Sequence, residues 1–414
     1  MLTYSTSSAD PAGHINKSGG EVIPGILPEV ATIRPLKRVS PSRFTALREC
    51  ALREVWSATR QPALLPAAPA ARLGGVAHKL LEEAGRGQLR EASVPSAETR
   101  WAELVNQVEE QMQQSWLERS LIPLTRTVRE YEVRKIRTCN KAAKIAQETP
   151  AYRHKVEGRR EIGFEVWVES PDGLIAGSID NVQETDHGAV LLDYKSGYIM
   201  DRQGVGETLA IKDEYQVQLK LYAALYQSTF GRWPTRLEIV PLQGTNHILP
   251  FQPIECTKLL EDAVASLKQI NRMISETALS TNQSSEQRLA LPSPSTCRFC
   301  QWRPGCAAYQ TARDNADDPQ WPLDIRGTVT EIRKLGNGRM SMDVQVTSRA
   351  YETAHVRGLN PGPERHPALE FIGDGDVVGI YNLRLSASPN SFSEASQTVL
   401  YQVSKGDSPP TRGC

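Results

Sequence analysis

The sequence predicts a mixed α/β domain followed by a small all-β barrel. Three observations carry this reading. Apolar residues recur at helical spacing up to about residue 160 and alternate at period two from 161 onward. Strand-like and helix-like segments then alternate as far as a cysteine-rich loop. After Asp318 only short strands and turns follow, with no long helix between them.

Composition sets the bounds. The 414 residues are 39% hydrophobic and 23% charged, with 29 Gly and 27 Pro, which fits a globular chain and excludes a disordered or collagen-like one. That length suits two or three compact domains. Lys+Arg and Asp+Glu are 48 each, so attraction to a polyanion must come from a local patch. No apolar run is long enough to span a membrane. The opening MLTYSTSSADPAGHINKSGG lacks the basic and apolar regions of a secretory signal, so a cytoplasmic location is expected. Seven Cys, an odd number, argue against a disulfide framework.

Residues 1–38 are polar and rich in Gly and Pro, and a flexible arm is expected there. Residues 40–56 set Phe44, Leu47, Leu52, Val55 and Trp56 on one helical stripe, with Ser40 or Ser42 as cap. Further helices are expected from about Gly75 and over 97–118. Residues 121–160 hold eleven Lys/Arg against four Asp/Glu, either a solvated face or a wall that contacts phosphates. Strands follow at 162–169, 174–182 and 189–197, the last two as a hairpin. A helix at 215–231 stops at Gly231, a strand covers 236–243, and a helix covers 254–274. The strands beyond Asp318 suggest a barrel of the oligonucleotide-binding (OB) type, with Tyr351, Phe371 and Tyr381 as its aromatic candidates for base stacking.

The chemistry concentrates at two places. Gly177-Ser178-Ile179-Asp180 precedes Leu192-Asp193-Tyr194-Lys195 at hairpin distance. On a strand, Asp193 and Lys195 share a face and Tyr194 takes the other. The hairpin brings Asp180 towards Asp193, so two acids and a cation meet. Two buried carboxylates repel unless a cation joins them or one is protonated. An all-oxygen site with open positions suits Mg²⁺ or Mn²⁺. The second place is Cys297-x2-Cys300-x5-Cys306, whose thiolates suit zinc or an iron–sulfur cluster once a fourth ligand is found.

The order of these motifs resembles the PD-(D/E)XK nuclease superfamily, in its RecB-like branch. That branch includes the nuclease domains of bacterial helicase–nucleases and the exonucleases of CRISPR adaptation. The matching positions are Gly75-Val76-Ala77-His78, Gly177-Ser178-Ile179-Asp180, Asp193-Tyr194-Lys195 and Gln218-Leu219-Lys220-Leu221-Tyr222. The resemblance implies a restriction-endonuclease-like core, a mixed sheet flanked by helices, over residues 39–312; the OB-like barrel expected from the strand pattern, at 320–408, lies outside it. It implies metal ligands His78, Asp180 and Asp193, and catalytic roles for Asp180, Asp193, Lys195, Gln218 and Tyr222. The Tyr194 carbonyl is a further implied ligand. A subset of the family carries a distant first Cys, matched here by Phe44-x-x-Leu47-x-x-Cys50. A [4Fe–4S] cluster on Cys50, Cys297, Cys300 and Cys306 is then implied, acting as a clasp, with Cys139, Cys256 and Cys414 unliganded. The implied function is a metal-dependent DNA nuclease, an exonuclease on single strands or DNA ends, in repair, CRISPR adaptation or anti-phage defence, with a helicase or other subunit as partner. The alternative is a non-catalytic DNA-binding or scaffold subunit of such a complex.

Overall fold

The computed structural model describes residues 23–28, 33–59, 61–148, 161–202, 209–277, 285–316, 318–346 and 352–403. The apolar stripe at 40–56 becomes two helices, α1 (Pro41–Glu49) and α2 (Ala51–Ala58). Cys50 between them is extended, at φ −161° and ψ 101°, and interrupts the helical ladder. There follow α3 (Pro69–Gly85), α4 (Val94–Gln114), α5 (Leu124–Thr127) and α6 (Tyr131–Glu148). Pro stands in the first turn of both α3 and α4, where a missing N–H breaks no helical bond.

The period-two stretch forms β1 (Gly163–Glu169), β2 (Ala176–Thr185) and β3 (Gly188–Lys195). A small hairpin of β4 (Met200–Arg202) and β5 (Leu209–Ile211) leads into α7 (Asp213–Phe230), which Gly231 closes at φ +79°. Then come β6 (Arg236–Pro241), β7 (His247–Leu249), α8 (Pro253–Thr277), α9 (Ser285–Leu289), α10 (Pro294–Arg298) and α11 (Ala307–Asp314).

The sheet order is β1-β2-β3-β6-β7. Only β3 and β6 run parallel, and α7 is the crossover that this requires. Both faces are covered. Ile179, Leu191, Leu237 and Ile239 pack with Phe44, Val55, Leu221 and Leu225 on one side. Val190, Leu192, Tyr194 and Val240 pack with Leu80, Trp101 and Ala142 on the other. The expected mixed sheet flanked by helices is therefore present. Strands β4, β5 and β7 have three residues each, too short for a period to register.

The C-terminal domain holds β8 (Ile325–Lys334), β9 (Met340–Val346), β10 (Thr353–Leu359), β11 (Val377–Tyr381), β12 (Arg384–Leu385), β13 (Ser391–Ser393) and β14 (Val399–Gln402). Its order is β12-β13-β10-β9-β8-β11-β14, a curled half-barrel of seven strands whose edges β12 and β14 do not pair with each other. The expected small all-β domain is present, as a half-barrel. The strands that the pattern does not reveal are β10, with its Ala and Gly, and the three-residue β13. A Cβ on Gly327 would lie 2.1 Å from the Gln345 carbonyl oxygen, so β8 and β9 approach closely only with glycine there. Tyr381 is buried at 1% exposure and cannot stack on a base, Phe371 is exposed, and Tyr351 lies outside the described residues.

Buried contacts join the domains. Leu64, Leu65 and Leu117 pack with Tyr381, Val399 and Tyr401. Arg303 donates to Asp324 at 2.6 and 3.2 Å and to Asn382 at 2.5 Å, fully buried. Within the expected arm, Ile26 bridges to Gln402 in parallel, and Leu36 exchanges backbone hydrogen bonds with the Asn271 side chain. Residues 1–22, 29–32 and 149–160 lie outside the described residues. No described helix is long and apolar enough to cross a membrane.

Candidate active site

The β2–β3 ladder pairs Thr185 with Gly188 and runs in register to Asn181 with Leu192. The next pair in that register is Asp180 with Asp193, and there the ladder lapses. The same happens on the other side of β2. Phe164 pairs with Asn181 and Val166 with Ile179, but Glu165 and Asp180 between them do not pair. Glu165 takes φ +52°, a left-handed backbone that non-glycine residues rarely adopt. Glu165, Asp180 and Asp193 thus form one row across three strands, at a break in both ladders.

The break frees backbone groups, and side chains use them. Asp180 Oδ2 accepts the Tyr194 N–H at 2.7 Å. Asp193, only 2% exposed, accepts from Gln218 Nε2 at 2.7 Å through Oδ1. The Gln218 Oε1 accepts in turn from Lys195 Nζ at 3.0 Å. Lys195 Nζ also stands 2.7 Å from Asp193 Oδ2, and it lies 4.6 Å from the centre of the Tyr215 ring. Tyr215, Gln218 and Tyr222 lie on one side of α7, at helical spacings of three and four. Gly177 leaves room for this: a Cβ there would sit 3.3 Å from the Tyr222 hydroxyl and 3.2 Å from Pro41 Cδ. From α3, on the other face, His78 Nδ1 reaches to 3.9 Å from Asp180 Oδ2.

Electrostatics follow from this crowding. Burial, and then the charge of Asp193, push the Asp180 carboxyl well above the usual carboxylate range. Burial and the repulsion of Glu82 raise Glu165. Burial and the charge of Lys195 hold His78 below the usual histidine value, so its imidazole stays neutral and available as a ligand. Burial raises Tyr222 far out of the physiological range, so it remains a hydroxyl donor. Tyr194 points the other way: it stacks near Phe164, accepts from Asn181 Nδ2 at 3.2 Å, and is pushed up to about 12 by burial.

The donor set fits a hard divalent ion. Asp193 Oδ2 is buried and lacks a hydrogen-bond donor, because its approach to Lys195 is close but misaligned. Asp180 carries unmet repulsion, and His78 supplies a neutral nitrogen. In the described conformation no three His, Cys, Asp or Glu side chains are gathered tightly enough to hold an ion. Asp193 is turned to Lys195 and Gln218, and Asp180 to the Tyr194 N–H. Every residue read from the sequence motifs, His78, Asp180, Asp193, Lys195, Gln218 and Tyr222, belongs to this neighbourhood. Glu165 and Tyr215 were missed: neither falls in a motif, and only the register reveals Glu165.

Four of the cysteines lie together at a second place in this domain. Cys50, Cys297, Cys300 and Cys306 all line one small cavity of about 20 Å³, beside Arg53 and Arg303. Burial raises the thiols of Cys297 and Cys300 to about 11 and that of Cys306 to about 12. Arg303 donates to the carbonyls of Cys297 and Cys300 at 3.4 and 3.3 Å. Cys139 and Cys256 are buried in the two apolar cores, and Cys414 lies outside the described residues. A family model of the PD-(D/E)XK nuclease superfamily matches residues 38–307, more than half of the chain. No curated protein matches it.

Proposed function

The chain belongs to the PD-(D/E)XK nuclease superfamily, and on that premise we propose that it is a divalent-metal-dependent deoxyribonuclease with the acid row as its active site. The observation that carries this is the Asp193–Lys195–Gln218 network standing beside Asp180 where two ladders part. His78, Asp180 and Asp193 would hold Mg²⁺ or Mn²⁺. The ion, when bound, polarises a phosphate oxygen and lowers the pKa of a bound water. Lys195 stabilises the charge that develops on the phosphate oxygens. Gln218 orients both Lys195 and Asp193 by bonding each with a different end of its amide. The order of the motifs supports the RecB-like branch, and with it exonuclease action on single strands or ends, in repair, CRISPR adaptation or anti-phage defence beside a helicase-type partner.

The four cysteines extend the reading. Their shared cavity and soft donor set favour a [4Fe–4S] clasp between α1–α2 and the loop at 297–306. Burial raises the thiols of Cys297, Cys300 and Cys306, so without a bound metal these three stay protonated.

Lys195→Ala tests the assignment. Cleavage of labelled single-stranded DNA in Mg²⁺ or Mn²⁺ is expected to fall at least a hundredfold, with DNA affinity retained. Cleavage at the wild-type rate would rule out this active site.

A further inference from the structure

Past Pro241 the chain leaves the sheet and forms the wall of a groove against α6. Its opposite wall carries Val133, Ile136, Arg137, Lys141 and Lys144, and the space between measures about 510 Å³. These positions recur at helical intervals and so share one face of α6. The floor is aliphatic, with Val133 40% and Ile136 52% exposed. No Asp or Glu lines the groove. Lys144 reaches only the exposed Glu148, at 3.7 Å, and no ion pair to Arg137 or Lys141 occurs among the described residues.

Its position is as informative as its charge. Pro241 pairs with Lys195 across the parallel β3–β6 ladder, and Leu242, Gln243 and Gly244 follow directly. At about 3.3 Å per residue and about 4.8 Å between strands, this wall begins within about 10 Å of the Lys195 backbone. The groove therefore opens at the same end of the β3–β6 pair as Lys195.

We propose that the α6 groove is the track for the sugar–phosphate backbone of single-stranded DNA on its way to or from the acid row. This rests on the nuclease reading above. Arg137, Lys141 and Lys144 stand about 6 and 4.5 Å apart along the helix axis, so consecutive phosphates meet a line of charge. An acidic peptide would also satisfy three cations, but proximity to the acid row favours the polymer which that row would cut. No aromatic residue lines the groove, so it offers the bases no stacking platform and recognition falls on the phosphates.

The test compares the full-length protein with Arg137→Gln/Lys141→Gln/Lys144→Gln. Binding of a fluorescein-labelled oligothymidylate is followed by anisotropy across a range of KCl concentrations. Each phosphate contact on a single strand contributes about −0.7 to the slope of log K against log salt, so the triple variant is expected to lose about 2 from that slope. Affinity at low salt should fall at least tenfold. If the triple variant melts early, Arg137→Gln alone, on an exposed side chain, should lose about 0.7. An unchanged slope overturns the track, and so does a wild type that binds an acidic peptide but not the oligonucleotide, or neither. Hydrolysis of bis(p-nitrophenyl) phosphate in Mn²⁺ separates this inference from the one beneath it, because that diester is too small to span both features. It should be unchanged in the triple variant and lost in Lys195→Ala. Its absence from wild type would count against the nuclease reading instead.

Discussion

Asp180 is the residue under most tension. It shares a row with Glu165 and Asp193, and its carboxyl is raised by burial and by Asp193. In the metal-free protein the native state holds this proton where the unfolded chain, near 3.8, has lost it. Stability therefore falls as pH rises from the unfolded value through the folded one. His78 acts in the opposite direction: its lowered value makes stability fall as pH drops through and below 6.5. Asp180→Asn keeps an oxygen for the Tyr194 N–H and removes the charge. In chelator at neutral pH it is expected to melt higher than wild type, by about 2–4 °C for each kcal/mol of relieved repulsion. It should also lose the stabilisation that Mn²⁺ gives wild type. A lower melting point in chelator would show that the row is not strained.

At the scale of elements, two pieces of polar structure matter most. The first is the hairpin whose ladder breaks at the acids. Its turn, its register and the opposition of Asp180 to Asp193 were legible in the sequence, because Ala189–Leu192 is apolar up to the charge and the intervening residues are turn formers. Glu165 was not legible, since the left-handed backbone that turns it out of the ladder leaves no mark on the pattern. The second piece is Arg303, which ties the cysteine loop to Asp324 and Asn382 of the half-barrel. Arg303→Met leaves Asp324 buried without its cation and should cost about 3–5 kcal/mol, read as an earlier thermal transition. Arg303→Met/Asp324→Leu should recover much of that loss. A single variant as stable as wild type would mean that the pair contributes little to docking the two domains. The half-barrel itself was read only in outline. Its strands β12 and β13 are short; β13 is held by register to β10 and β12 to β13, pairings that no local pattern specifies.

For the whole molecule, the cysteine centre and the acid row stand at separate places in one α/β domain. α1 and α2 connect them: Cys50 interrupts these helices, and Pro41 of α1 abuts Gly177 in the strand that carries Asp180. Protein purified without oxygen should carry about four iron atoms per chain and a visible charge-transfer band, as the proposed [4Fe–4S] cluster requires. Cys300→Ser should lose both, and stoichiometric zinc in a colourless wild type would replace the cluster with a zinc clasp. The most direct test of the central claim is a time course on end-labelled single- and double-stranded DNA with Mn²⁺, wild type beside Asp193→Asn. Mn²⁺-dependent shortening by wild type, absent in a folded Asp193→Asn that still binds DNA, is the result expected. Equal cleavage by both proteins would contradict the assignment of this row as the catalytic centre.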